Sequence, residues 1–381
     1  MEPSAGARAA AGPALAPPPL ASAPAPVPLL GLGTALPAQV VSTAELVAEL
    51  TEIWPHLRRR RGLLLRGVGT GQRAFCRAVT EMGTPLTLAV QTRRYAAEGL
   101  ELAAAAAERA LADASCSAAA VDVLIVASCT GFILPGLDAR LVPRLGLRPT
   151  VRRVPVSQLG CAGGAAALAL AAAAARGHPA PVVLVVAVEL PSLTFRPQDA
   201  CDDNVLGALV FGDGAGAAVL GPPAAVAGTD GDLEPAAARL LIERTQEALI
   251  PESGDALGYE LDDDGFRVVL ARDLPERLGR VLPAVVDTFL GGRGPGPGDV
   301  VALHPGGPGI LAAVRQALAL LPAQLAASAD TFTRTGNTSS AGIFFVLQAC
   351  CADPPPRGTR GLALGFGPGL TVELLALRWP G

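Results

Sequence analysis

Two short stretches of this 381-residue chain are apolar along nearly their whole length, Val121–Ser128 (VDVLIVAS) and Val182–Val188 (VVLVVAV). A strand with one wet face alternates apolar and polar residues, whereas an unbroken apolar run belongs to a strand covered on both faces. Alanine-rich helical stretches, Ala103–Ala114 and Ala162–Ala175, lie among them. The pattern returns after a Gly/Pro-rich stretch near 221–234. There, strand-like Leu240–Ile242, Val300–Leu303, Gly361–Leu364 and Thr371–Leu377 alternate with helical 276–290 and 309–321, and Gly291–Gly298 (GGRGPGPG) forms a loop ahead of a strand. The expectation is an α/β fold in two successive halves, residues 28–225 and 226–381, with helices on both sheet faces. Residues 1–27, Ala/Pro-rich and almost uncharged, are expected to be a disordered tail.

Composition removes several classes of function. The net charge of −4 favours neither nucleic acid nor an anionic membrane. All thirty basic residues are arginine, so Schiff-base lysines, pyridoxal sites and the P-loop lysine are excluded. Aromatic residues, at 4%, are too few for single-strand stacking platforms. The seven cysteines (76, 116, 129, 161, 201, 350 and 351) form no CxxC pair, which predicts reduced thiols and a cytoplasmic protein. His56, His178 and His304 lack a second ligand at metal spacing, so no zinc is expected. Val154–Ala175 carries no charge, but Pro155, Ser157, Gln158 and its glycines fit a buried strand and buried helix better than a membrane span.

Three places could carry chemistry. In Val154–Gly164 (VPVSQLGCAGG) a probable strand leads into a helix at Cys161, where the helix dipole and free N–H groups favour a thiolate. The same residue also reads as a small buried core cysteine. His304, in LHPGGP after a short strand, is either a turn histidine or a rigidly held catalyst. Asn337, in GNTSS, is either a turn residue or a donor to a developing negative charge. Together Cys, His and Asn can store an acyl group and stabilise an enolate. The cysteine's surroundings differ from those of papain-like proteases, which makes hydrolysis the weaker reading.

CAGG at 161–164, FGDGAGAAVL at 211–220, HPGGP at 304–308, GNTSSAG at 336–342 and GFGPGLTVE at 365–373 resemble the type III polyketide synthases. That family includes the chalcone synthases and has a duplicated thiolase fold of five αβαβα layers. SCTGF at 128–132, QLGCAGG at 158–164 and ELPSLTF at 189–195 are similar to bacterial members that make pyrones, resorcinols or related small rings.

The resemblance implies that Cys161 holds the acyl group of an acyl-CoA starter, while His304 and Asn337 stabilise the enolate formed when malonyl-CoA loses CO2. It implies aromatic gates at Phe211 and Phe266, cavity-lining roles for Cys129, Thr194 and Ser339, and a glycine loop at Gly367 and Gly369 that helps build an oxyanion hole with the N–H of Cys161. It implies that Leu134 reaches a partner's cavity in a homodimer. Arg58, Arg59 and Arg66, in a basic stretch that includes Arg73, would bind the CoA phosphates or form a solvated face. CoA thioesters are then substrates, and no cofactor is expected. The small side chains at these cavity positions predict room for a fatty acyl starter. The nearest rival is a β-ketoacyl synthase of the initiating fatty-acid type, whose histidine stands in a different context. A non-catalytic scaffold would not need Cys161, His304 and Asn337 together. Asp213 in FGDGAG reads as part of a tight turn, because GxGxxG is missing there.

Overall fold

The computed structural model describes residues 24–177, 179–222 and 238–380. The expected tail up to residue 23, His178 and the expected boundary at 225/226 lie outside the described residues. Val27, placed in the tail from sequence, already opens the first strand.

The first half runs β1 (Val27–Ala35), β2 (Gln39–Ser42), α1 (Thr43–Ile53), α2 (Arg61–Gly67), β3 (Gln72–Phe75) and α3 (Leu88–Asp113). It continues with β4 (Val123–Ala127), α4 (Leu137–Leu145), β5 (Arg152–Val156), α5 (Gly163–Ala175), β6 (Val183–Glu189), α6 (Asp202–Val210) and β7 (Gly214–Leu220). The second half comprises β8 (Leu240–Leu249), the hairpin β9 (Leu257–Asp262) and β10 (Gly265–Leu270), α7 (Leu274–Leu290) and β11 (Val300–Leu303). It closes with α8 (Pro308–Ala317), α9 (Ala326–Thr335), α10 (Gly342–Ala352), β12 (Arg360–Gly367) and β13 (Thr371–Arg378).

Local chemistry sets several of these ends. Ser42 caps α1 in a reciprocal capping box with Glu45, and the Thr87 hydroxyl accepts the Val90 N–H at the start of α3. Gly146 (φ 66°) and Gly291 (φ 74°) end α4 and α7 in the left-handed conformation that only glycine adopts cheaply. Helix α3 begins fifteen residues before the alanine run that signals it in the sequence. Its first turns carry Arg93, Arg94, Glu98 and Glu101, and this half-exposed stretch lacks a continuous apolar face.

The large strands run β5-β4-β6-β7-β1-β8-β13-β12-β11. Within the first half, β4 and β6 are parallel, while β6 with β7 and β7 with β1 are antiparallel. The second half repeats this: β11 with β12 is parallel, β12 with β13 and β13 with β8 antiparallel. The two sets meet where β1 pairs antiparallel with β8, Leu29 opposite Leu240. The duplication is therefore written in strand order and direction.

Packing gives the layers. Leu124, Val126, Leu184 and Val186 face outward onto α3 and α4, and Val301, Leu303, Leu362 and Leu364 face outward onto α7 and α8. The opposite faces, with Ile125, Val185, Ala302 and Ala363, close on α5 and α10 between the sheets. This is the five-layer thiolase-like arrangement. Helices α5 and α10 are buried on almost every side, which explains why neither is amphipathic. Among the described residues no helix is long and apolar enough to cross a membrane. Strand β5, expected to be buried, is instead a largely exposed edge, and Pro155, which has no N–H to donate, fits that position.

The middle layer is closed by glycine. A Cβ on Gly164 would lie 1.9 Å from the Ser340 carbonyl oxygen, so the first turns of α5 and α10 touch only because that atom is missing. Gly164→Ala is expected to cost about 1–3 kcal/mol by overpacking. Gly279→Ala, in α7 with open space around the new methyl, is expected to stabilise by about 0.4–1 kcal/mol. Urea unfolding of the two variants should show these opposite signs.

Candidate active site

Cys161 stands in the turn Gly160–Ala162 that opens α5, the central helix of the first half. Gln158 (φ 68°) and Gly160 (φ 49°) bend the chain sharply there. The C-terminal glycine loop braces this turn: a Cβ on Gly160 would lie 2.6 Å from Pro368 Cδ, and one on Gly367 would lie 2.4 Å from the Leu159 carbonyl. Gly369 (φ 65°) turns away, its carbonyl accepting from Ser253 Oγ at 3.2 Å. Pro368, between the two glycines, is the loop residue that lines the space beside Cys161.

Asn337 arrives from the other half, just before α10. Its N–H donates to the Val210 carbonyl (2.8 Å) and its carbonyl accepts from the Gly212 N–H (3.0 Å), forming a short parallel bridge with Phe211. One backbone junction thus fixes both Phe211 and Asn337. The Asn337 side chain donates to the Gly306 carbonyl (3.2 Å) and accepts the Ser339 N–H (2.8 Å). Cys161 Sγ lies 3.9 Å from Asn337 Oδ1 and 3.6 Å from Ser339 Oγ.

His304 follows β11 directly, and its N–H extends the parallel ladder onto the Leu364 carbonyl (2.8 Å). The imidazole is 1% exposed, and neither ring nitrogen has a hydrogen-bond partner among the described residues. Its Nδ1 edge packs on Gly342, where a Cβ would come within 3.0 Å. A buried imidazole with both nitrogens free is costly to maintain, and a ligand hydrogen-bonded to it would offset that cost.

Burial sets the resting charges. It pushes His304 down to about 4, so the ring is neutral at pH 7. It pushes Cys161 up to about 11, although Ser339, Asn337 and the cysteine's own N–H pull the other way and the Glu189 charge adds to the rise. The helix N-terminus therefore does not by itself keep Cys161 ionised. At neutral pH the resting pair is therefore a thiol and a neutral imidazole.

Cys161, His304 and Asn337 line one cavity of about 380 Å³ that runs past Leu57, Leu64, Leu206 and Leu278 to a mouth with Arg60, Asp202 and Arg272. Phe211 stands between this cavity and two much smaller pockets of about 20 Å³ each. Cys129 and Ser339 line one of the small pockets and Thr194 the other, and Tyr259 lines both. The sequence reading gave no role to Tyr259, which lies on the wall of both small pockets. Phe266 lines none of these spaces: it packs edge-on against Tyr259 with centroids 5.8 Å apart, and Val268 and Leu270 of the same strand reach the pockets instead.

A buried carboxylate supports this side of the site. Glu189 accepts from the Cys129 and Thr130 N–H groups (3.1 Å each), Thr130 Oγ1 (2.8 Å) and Ser340 Oγ (2.5 Å). Burial raises its pKa and these donors lower it. The signal for it in the sequence was a carboxylate ending an unbroken apolar strand. Cys129 Sγ lies 3.4 Å from Glu189 Oε1 and 3.8 Å from Ser339 Oγ.

The remaining positions divide by exposure. Leu134 is 83% exposed and lines none of the cavities, and Phe132 beside it is 73% exposed. Arg58 pairs with Glu52 at 2.8 Å, and Arg59 and Arg66 are exposed away from the cavity lining, whereas Arg60 lies on it. Arg73 is wholly buried and unavailable to a phosphate; it binds Thr43 Oγ1 (2.8 Å), Thr70 and the Leu209 carbonyl. Asp213 is buried and accepts the N–H groups of Cys76 (2.7 Å) and Ser192 (2.8 Å), which makes it the core of a packed turn. Among the described residues no cluster of His, Cys, Asp or Glu could hold a metal ion.

Comparison with known proteins agrees with this geometry. Residues 73–224 match the family model for chalcone and stilbene synthases, N-terminal domain, and residues 241–379 match the C-terminal domain. The chain is 38% identical to a 1,3,6,8-tetrahydroxynaphthalene synthase of Streptomyces peucetius subsp. caesius, over 74% of this chain and 73% of that protein. It is 30% identical to a putative chalcone synthase of Bacillus subtilis, over 92% of this chain and 98% of that protein. The crystal structure of the 1,3,6,8-tetrahydroxynaphthalene synthase of Streptomyces coelicolor A3(2), 28% identical, superimposes with a TM-score of 0.84 over 93% of this chain and 99% of that one. With both family domains matched and the duplicated fold in place, this chain belongs to the chalcone and stilbene synthase family and is a type III polyketide synthase, an acyltransferase on a thiolase-like fold.

Proposed function

We propose that the enzyme loads a small acyl-CoA starter on Cys161, extends it with malonyl-CoA and releases a small cyclised polyketide. The observation that carries this reading is the shared cavity of Cys161, His304 and Asn337, reached from the surface by a mostly apolar passage. In loading, the Cys161 thiol gives its proton to His304, sulfur attacks the thioester carbonyl and CoA leaves as its thiol. Malonyl-CoA then places its thioester oxygen against the neutral His304 N–H and the Asn337 amide. Loss of CO2 leaves an enolate stabilised by both donors; its carbon attacks the acyl-cysteine carbonyl, the C–S bond breaks, and Cys161 leaves as a thiolate that takes up a proton from solvent or attacks the next thioester. Each preorganised donor contributes about 3–4 kcal/mol to such a step.

The two small pockets behind Phe211 support a short starter and a compact product. Tyr259, buttressed by Phe266, fills the space that a long chain would need. The exposed pair Phe132 and Leu134, on the loop after β4, supports a homodimer in which a second copy covers them, since large exposed apolar neighbours on one loop mark an interface.

Cys161→Ala is expected to abolish product while leaving decarboxylation of malonyl-CoA. His304→Ala and Asn337→Ala should each slow decarboxylation roughly 100- to 1,000-fold. Mass spectrometry of product and CO2 release checks this, and equal decarboxylation in all variants sinks the assignment. A single condensation onto carrier-protein thioesters, with no ring product from CoA substrates, would move the chain toward the fatty-acid rival. Tyr259→Ala should extend the range of accepted starters to longer acyl-CoAs; an unchanged range in a starter panel removes Tyr259 as the limit. Leu134→Asp should shift the protein from dimer to monomer in sedimentation equilibrium, and a wild-type monomer refutes the dimer.

A further inference from the structure

The mouth of the main cavity carries Arg60, Asp202, Asp203 and Arg272. They come from separate places: Arg60 from the turn before α2, the aspartates from the first turn of α6, and Arg272 from the link between β10 and α7. Asp202 is shared. One carboxylate oxygen lies 3.8 Å from Arg60 Nη1, and the other accepts a hydrogen bond from Arg272. Asp203 accepts the Leu270 N–H (3.0 Å), which ties α6 to β10 and holds the two elements together beneath the pair.

All three paired side chains are more than half exposed, so these ion pairs are weak and readily exchanged. Inward of them the passage is largely apolar, with Leu57 and Leu64 on its wall. Arg58 and Arg59, beside Arg60 in the chain, do not line the cavity. Any phosphate on an entering thioester therefore meets two arginines that a single internal carboxylate already occupies, and guanidinium binds phosphate at least as well as carboxylate.

We propose that Asp202 is an internal stand-in for a substrate phosphate, holding Arg60 and Arg272 at the mouth of the free enzyme and releasing both to the phosphates of CoA. This rests on the acyl-CoA reading above. It adds which arginines meet the phosphates and names a residue that opposes binding. Asp202 then sets how strongly the enzyme favours a phosphate-bearing thiol carrier over a phosphate-free one.

The test is direct binding to the full-length protein and to its Asp202→Asn, Arg60→Gln and Arg272→Gln variants. CoA is read by calorimetry and phosphate-free pantetheine by ligand-observed NMR. Asp202→Asn should bind CoA about fivefold more tightly and each arginine variant about fivefold more weakly, with smaller differences in high salt. Pantetheine binding should stay the same throughout. Equal CoA affinity in all four proteins overturns the proposal, as does weaker binding by Asp202→Asn or a pantetheine shift that tracks CoA. Product formation from malonyl-CoA, assayed separately, reports on the synthase reading, so the two can fail independently.

Discussion

The contact on which the site depends is the meeting of two buried helix starts, Gly164 of α5 against the Ser340 carbonyl just before α10. Each helix belongs to one copy of the duplicated fold, and each carries its functional residues in the turn leading into it. With no side chain at Gly164 the turns come together, and Cys161 comes within 3.6 Å of Ser339 and 3.9 Å of Asn337. A chain with the same strands and one added methyl at this point would have its nucleophile and its donors held apart. The candidate site is a property of the interface between two halves, not of either half.

That arrangement places polar groups deep in the molecule, and the surrounding structure satisfies most of them. Glu189 collects donors from β4's exit and from Ser340, and Asp213 collects those from Cys76 and Ser192. Arg73 is buried without a carboxylate, and its guanidinium closes on the Leu209 carbonyl at the end of α6, near the Phe211–Asn337 bridge. A cation at a helix C-terminus is favoured by the helix dipole, which lets this charge stay buried without a salt bridge. At His304, among the described residues, both ring nitrogens are without a hydrogen-bond partner. A buried imidazole with both nitrogens open can take up binding energy from a substrate that hydrogen-bonds to it.

The division of the cavity explains the balance between entry and product. On the outer side of Phe211 the passage is wide and apolar and ends in charge; on the inner side the room is about 20 Å³ in each pocket. A flexible carrier arm fits the first environment. On the reading proposed above, the second would take a short chain beside Cys129, Thr194 and Ser339, which line it.

The α/β class, the two halves and the Cys161, His304 and Asn337 set were legible in the sequence. The strands are apolar without alternation because both faces are covered, and glycine and proline cluster where the backbone turns at a reactive residue. The order of strands, the exposed edge at Pro155 and the early start of α3 were not legible, because they depend on what packs against each segment. Nor could local pattern show that Arg73 is buried while Arg60 reaches the cavity, since neighbouring arginines look alike until the chain turns between them. The same holds for Tyr259 and Phe266, which share one face of the β9–β10 hairpin, where position along the strands decides which one reaches the pockets. Residue chemistry by itself determined what reaction this protein could support. The tertiary structure decided charge states, cavity size and access, because burial and distance between segments far apart in sequence exist only once the chain has folded.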